Sequence, residues 1–322
     1  MNAQKYSLIA DASFPLFFYL LYASEEMLDN TSFYVGGNLQ SCHLSNKVFV
    51  PKPKYYTKWG LIRYRLSCLK YRPQLKKTKI IAQDHLYFSA PLIDNLPYTV
   101  IEDCPGFFTV LHTRHYHPYQ PKGFKEKIYF RLIGRIYNRY AGYNPYCQNR
   151  IVSTERDHQL FDSLHLPNEC YDLQQLWDDA SESRKERIIE VFNLRNLSQI
   201  ANRSVIIFSQ PFMQDCHYSE QEVIDLFRPF IEKYGAEDIL VKLHPRDTFD
   251  YKKAFPGIET LITKAPQQFL TLMGLKFKTA ITVCSSAVSS MDANTEIIWL
   301  GAEIDPRIVK AYGVIKCPVN LK

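Results

Sequence analysis

Short apolar runs that stop abruptly at polar residues recur along this chain, and the sharpest is Asp238-Ile-Leu-Val-Lys-Leu-His-Pro-Arg-Asp247. Ile239, Leu240, Val241 and Leu243 read as a short buried strand of a parallel sheet, and Pro245 cannot continue the ladder because it has no N–H to donate. His244 therefore falls at the carboxyl end of a strand. In open α/β sheets that edge is where ligands bind, and the proline restricts His244 to extended backbone geometry. The histidine either caps the strand or does chemistry there.

The same pattern repeats. Strands are expected at residues 6–10, 32–35, 47–50, 79–82, 98–101, 150–153, 204–208, 238–243, 279–283 and 296–300. Helical spacing is expected at 14–27, 59–71, 124–140, 172–194 and 220–234. Strands alternating with helices over 322 residues predict an α/β chain of two Rossmann-like domains facing a central cleft, residues 1–150 and 151–322. With 46% hydrophobic residues the chain can bury a large core and is not disordered. It contains neither a Gly-x-Gly-x-x-Gly fingerprint nor a Walker loop, which argues against dinucleotide dehydrogenases and P-loop ATPases.

The eight cysteines are scattered without a Cys-x-x-Cys pair, fitting neither a zinc site nor a disulfide scaffold, and read as reduced cytosolic thiols. The N-terminal apolar run, 14–23, is about half the length of a membrane span and lacks the flanks of a signal peptide. The expectation is a soluble or peripheral protein.

A net charge of +6 is modest, but residues 47–83 contain no acid, while Lys47, Lys52, Lys54, Lys58, Arg63, Arg65, Lys70, Arg72, Lys76, Lys77 and Lys79 are all basic. With Tyr55, Tyr56, Trp59, Tyr64 and Tyr71 among them, residues 47–79 suit an anionic membrane surface or an anionic substrate. A solvated face is the plain alternative. No nucleic-acid-binding motif accompanies the charge, so no nucleic-acid partner is expected.

Two further strand ends carry polar clusters: Glu102-Asp103 and Ser285-Ser286. Serines after a strand serve either as an ordinary N-cap or, with backbone N–H groups, as a phosphate site. A carboxylate can deprotonate a hydroxyl, and a histidine beside a phosphate can donate to a leaving nucleotide; together they describe glycosyl transfer from a nucleotide sugar. His112, His115 and His117 crowd a turn-rich loop, but no Asp, Glu or Cys lies within it, and substrate contact or plain surface is the expectation rather than zinc.

In this order, Glu102-Asp103, His244-Pro245 and Ser285-Ser286 resemble the D/E-D/E-G, HP and SS motifs of bacterial sialyltransferases, most nearly the lipooligosaccharide sialyltransferases of glycosyltransferase family 52. The resemblance is best over residues 204–300. It implies a GT-B-type fold, inversion at the anomeric centre, CMP-sialic acid as donor, no further cofactor and no catalytic metal. His244 would act on the CMP phosphate and Ser285 and Ser286 would hold it, with Pro245, Gln210 and Pro211 on the donor side. The base would be Glu102 or Asp103, with Asp215, shortly before the HP motif, as rival. Where the acidic motif ends in glycine this chain has Cys104, with Gly106 two places later, so the backbone turn must differ. The acceptor would be a galactoside-type glycan on a lipooligosaccharide or capsule, reached from the inner face of a bacterial membrane, and a homodimer is compatible with this reading. Enzymes using a UDP-hexose or CDP-glycerol donor, and a non-enzymatic module binding anionic polymers or membranes, are the alternatives.

Overall fold

The structure is a computed structural model, and it describes residues 3–52, 57–113, 123–133, 141–194, 202–244 and 246–317, without the side chains of Thr113, Ser286 and Ser289. The chain divides into two compact units, Met1–Val191 and Phe192–Lys322.

The first unit is built on β1 (Tyr6–Ala10), β2 (Thr31–Val35), β3 (Lys47–Phe49), β4 (Lys79–Ala82), β5 (Tyr98–Ile101), β6 (Cys147–Val152) and β7 (Glu169–Cys170). They form one sheet in the order β3-β2-β1-β4-β5-β6-β7, and every pairing in it is parallel. Leu8, Ile9 and Ala10 of β1 and Ile80, Ile81 and Ala82 of β4 are buried, as central strands covered on both faces require. The apolar run near the N-terminus is a core helix, Ser13–Tyr22, buried from Phe14 to Leu21. It ends at Ala23 in extended geometry, and Ser24 then caps a separate helix, Glu25–Asp29, by accepting from the Met27 N–H. One expected helix is thus two. The segment at 172–194 divides likewise into Leu173–Asp179 and Glu182–Val191.

The expected domain break at residue 150 falls inside β6. Arg150 is buried there and its guanidinium donates to the Gly142 carbonyl, while Val100↔Arg150 and Ile101↔Ile151 pair β6 with β5. A local apolar run does not say which sheet it joins; pairing does, and it carries the first unit to Val191.

The second unit contains β8 (Val205–Phe208), β9 (Ile239–Lys242), β10 (Glu259–Leu261), β11 (Thr279–Thr282) and β12 (Glu296–Trp299), again parallel, in the order β10-β9-β8-β11-β12. Its longest helix, Glu220–Tyr234, starts in a Ser219/Glu222 capping box and stops at Gly235, whose φ of 83° favours glycine. Both sheets are doubly wound: the chain changes direction of winding between β1 and β4, and again between β8 and β11. Beyond the carboxyl ends of such strand pairs lies the usual ligand crevice. Among the described residues no helix is long and apolar enough to cross a membrane, and all eight cysteines are free.

Candidate active site

In the second unit the residues at the carboxyl edge hold one another in place. Leu243 still donates to Leu261, and His244 follows with its N–H on the Ser209 hydroxyl at 2.9 Å, tying the ends of β8 and β9 together. The Arg246 N–H donates to His244 Nδ1 at 3.1 Å. An acceptor at Nδ1 places the ring proton of the neutral imidazole on Nε2, which is left to donate. Burial, and then the Arg246 charge, hold the His244 pKa below its ordinary value, so the ring is neutral near pH 7. Two residues back along the strand stands Lys242, flanked by β8 and β10, and burial pushes its ammonium down to about 8. Period-two alternation puts Lys242 and His244 on the same side of the sheet.

Across the winding reversal from β8, the Cys284 thiol reaches Gln210 Oε1 at 3.1 Å, and the Ser285 N–H donates to the Thr282 hydroxyl at 3.0 Å. Ser285 Oγ accepts from the Ala287 N–H at 3.3 Å, so it caps the turn that follows and keeps its own hydrogen to donate. That turn, Ser286–Ser290, is a single 3₁₀ segment rather than the expected helix, so any anion here is held by hydroxyls and cations more than by a macrodipole. Pro245 and the Ser286 side chain lie outside the described residues. Pro211 precedes the one-turn helix Phe212–Asp215 and accepts the Asp215 N–H at 2.8 Å.

Asp215 is fully engaged. Both its oxygens accept from the Arg246 fork at 2.8 Å and Tyr312 adds a third bond at 3.1 Å, which together hold its pKa below the ordinary carboxylate value. A base so paired is a weak proton acceptor.

The first unit gathers acids at the corresponding edge. Asp11, just past β1, is 4% exposed, pairs with Lys52 and accepts from the Asn38 N–H and side-chain amide at 3.3 and 3.4 Å. Gly36 lies so close that a Cβ there would overlap the Asp11 carboxylate. Gln83, past β4, accepts the Asp11 N–H at 2.7 Å, crossing the winding reversal, and its amide nitrogen donates to Asp103. On the other side His85 Nε2 lies 3.7 Å from Asp103 Oδ2, its ring against Phe107 at 4.7 Å.

Sequence reasoning left Glu102 and Asp103 equivalent, and alternation along the strand separates them. Glu102 is fully buried beside Ser153, neither oxygen meets hydrogen-bonding geometry, and burial pushes its pKa well above the ordinary range. Asp103 keeps 28% of its side chain exposed, and burial raises it to about 6 against the opposing Gln83 bond. Such a carboxyl is ionised at neutral pH and still basic, the combination a general base needs. Asp11, Gln83, His85, Lys242, Ser209 and Thr282 were not singled out from the sequence. Each stands at a strand end, so the rule that flagged His244 would have found Asp11 and Gln83.

Of the three clustered histidines, His112 lies in the last turn of the helix Phe107–Thr113, and His115 and His117 lie outside the described residues. Among the described residues no group of three His, Cys, Asp or Glu side chains is placed to hold a metal ion.

Comparison with known proteins bears on the family and the fold. The family model of glycosyltransferase family 52 matches residues 119–300, more than half of the chain. An uncharacterised protein of Haemophilus influenzae is 26% identical over 251 residues, covering 77% of this chain and 76% of its own length. The sialyltransferase of Photobacterium damsela superposes with a TM-score of 0.58 at 13% identity, covering 97% of this chain and 80% of that one. The GT-B domain of a sialyltransferase of Photobacterium damselae gives 0.55 at 14% identity, covering 97% of this chain and 98% of that one. An α/β-galactoside α-2,3-sialyltransferase of Photobacterium phosphoreum gives 0.58 at 12% identity, covering 98% and 99%. At these identities the solved structures speak for the fold, which is the GT-B-like arrangement of two Rossmann-type units expected from the sequence.

Proposed function

The chain belongs to glycosyltransferase family 52, and from that premise we propose that it transfers sialic acid from CMP-sialic acid, with inversion, to a galactoside-type acceptor. Membership makes it an enzyme that takes a nucleotide-sugar donor and a glycan acceptor, and sets aside the reading as a purely binding module. The observation that carries the proposal is the set Lys242, His244 and Ser285 at the carboxyl edge of the second sheet, beside its winding reversal.

The donor is acidic twice, at its phosphate and at the sugar carboxylate. Lys242 supplies a cation, Ser285 a hydroxyl donor, and His244 Nε2–H a donor because Nδ1 is occupied as an acceptor. With its pKa below the ordinary value, His244 stabilises charge on the departing phosphate by hydrogen bonding rather than by proton transfer. In the first unit Asp103 takes the proton of the acceptor hydroxyl. The hydroxyl oxygen attacks the anomeric carbon, the bond from that carbon to the phosphate oxygen breaks, and CMP leaves with the electron pair. No metal or further cofactor has a role in this scheme. We place the enzyme at the inner face of a bacterial membrane, as a monomer or homodimer, working on a lipooligosaccharide or capsular glycan.

A thermal shift panel tests the donor. A nucleotide at about a hundred times its dissociation constant stabilises by about 2.7 kcal/mol, well within detection. CMP is expected to raise the melting temperature and UDP to leave it unchanged. A response to UDP or CDP and none to CMP would overturn the sialyl donor in favour of a hexose or glycerol-phosphate donor.

A further inference from the structure

The eleven cations of residues 47–79 do not act as one block. Lys47 donates to the Gln40 and Cys42 carbonyls at 2.9 Å, Lys52 is paired with Asp11, and Arg65 with Asp94. Lys76, Lys77 and Lys79 are exposed beyond it and Lys54 lies outside the described residues, but the helix Lys58–Cys68 has an exposed outer face of its own: Lys58, Trp59, Arg63 and Leu66, continued by Leu69 and Lys70. Trp59 is 74% exposed and Leu66 61%. The inner face, through Leu61 and Ile62, packs against a helix far along the chain, Phe124–Ile133, at Phe130, Ile133 and Tyr129. Lys58 Nζ, at the start of the first helix, lies 5.9 Å from the centroid of the Tyr129 ring in the middle of the second.

The second helix has its own unpartnered stripe. Phe124, Ile128 and Leu132 recur every fourth residue, 79%, 44% and 49% exposed, with Lys125, Lys127 and Arg131 exposed beside them. Large apolar side chains aligned in this way are not the scattered exposures of an ordinary surface. Six exposed cations accompany them (Lys58, Arg63, Lys70, Lys125, Lys127 and Arg131), and the acids on the two helices number one, Glu126.

We propose that the helices Lys58–Cys68 and Phe124–Ile133 together form the face that docks on an anionic lipid bilayer, with Trp59, Leu66, Phe124, Ile128 and Leu132 entering the headgroup boundary and the cations meeting the lipid phosphates. The inference narrows the membrane placement proposed above and is independent of which donor is used. Charge decides between a bilayer and a second copy. A two-fold contact would lay this basic patch on its own image, like charge on like, whereas an anionic surface complements it. Apolar insertion gives binding that salt does not screen, and the cations give binding that it does.

The test uses the full chain and sedimentation with phosphatidylcholine vesicles, with and without phosphatidylglycerol. Wild type is expected to partition onto the anionic vesicles, less at high salt. Replacing Phe124, Ile128 and Leu132 together by Ser should lower partition about tenfold or more at every salt concentration. Replacing Lys125, Lys127 and Arg131 by Glu should remove the preference for anionic vesicles. Both variants should keep the CMP thermal shift, which shows that they are folded and separates this outcome from a failure of the donor reading. Wild type that binds no vesicles, variants that bind as well as wild type, or a dimer that becomes monomeric in the variants would overturn the proposal.

Discussion

The two sheets carry opposite chemistry at the same structural position. Where strands of the first unit end, Asp11, Asp103 and the buried Glu102 gather, with Gln83 hydrogen-bonded to Asp11 and Asp103 and His85 3.7 Å from Asp103. Where strands of the second unit end, Lys242, His244 and Arg246 gather, with Ser209, Thr282 and Ser285 supplying hydroxyls. Two sheets of one topology have thus been given different work by a handful of terminal residues. An acidic edge can hold and take protons; a cationic, hydroxyl-lined edge can hold phosphate and carboxylate. The contrast extends to pKa, since burial raises Glu102 and Asp103 at the first edge and lowers the His244 imidazole and Lys242 ammonium at the second. Both shifts disfavour the charged form, as desolvation must.

The largest effect should come from the acidic edge. Asp103→Asn keeps size and removes proton acceptance, and turnover is expected to fall by about 10³-fold with CMP affinity unchanged. Because the base must be ionised, wild-type kcat/KM should rise with pH through about 6 and then level, and in the amide variant that limb should vanish. Loss of CMP affinity instead would move Asp103 to the donor side and erase the contrast.

On the cationic edge, His244→Ala should cost roughly 10²-fold in kcat without unfolding the protein, because the side chain's Nδ1 accepts one backbone N–H near the surface. Near-normal turnover in a folded His244→Ala protein would remove the central role given to that residue. Lys242→Met should raise the apparent donor KM by about tenfold or somewhat more, the worth of a charge-assisted hydrogen bond, and leave kcat much less affected. An unchanged donor KM would make Lys242 structural.

Glu102 offers a test without turnover. Its folded pKa is raised, so folding takes up a proton at pH values above the ordinary carboxylate pKa, and the stability of wild type should fall as pH rises beyond that value. Glu102→Gln should flatten this slope and raise the melting temperature at pH 8 by about a few degrees. A lower melting temperature would show that the ionised carboxylate has a partner in solution.

The smallest effect is expected at Asp215, committed to Arg246 at a largely exposed fork. Asp215→Asn should change kcat less than about threefold, since exposed pairs are worth roughly 0–1 kcal/mol. A loss comparable to that of Asp103→Asn would transfer the base to the second unit and dissolve the comparison altogether.

Much of this is legible in the sequence, and the reason is local. An apolar run of four or five residues bounded by Pro, Gly or charged residues specifies a strand and its end through backbone geometry and burial alone. The strands at 6–10, 79–82, 98–101 and the helix at 220–234 accordingly stand where periodicity put them. Local signals failed where the deciding interaction lay elsewhere. Nothing near residue 150 says that β6 belongs to the first sheet, because that depends on pairing with β5. Nothing near residue 215 says that Arg246, 31 positions on, closes over the carboxylate.

What the sequence determined by itself was therefore the list of strand ends and the reactive side chains on them, because the period of a strand and the missing N–H of a proline are properties of the chain. What the tertiary structure alone decided was which of those side chains is free to act. Between Glu102 and Asp103, adjacent and chemically alike, the choice rests on which one lies under Ser153 in a closed interior and which keeps an open side toward Gln83 and His85. Burial and partners are set by strands brought together through space, and the order of residues along the chain does not carry them.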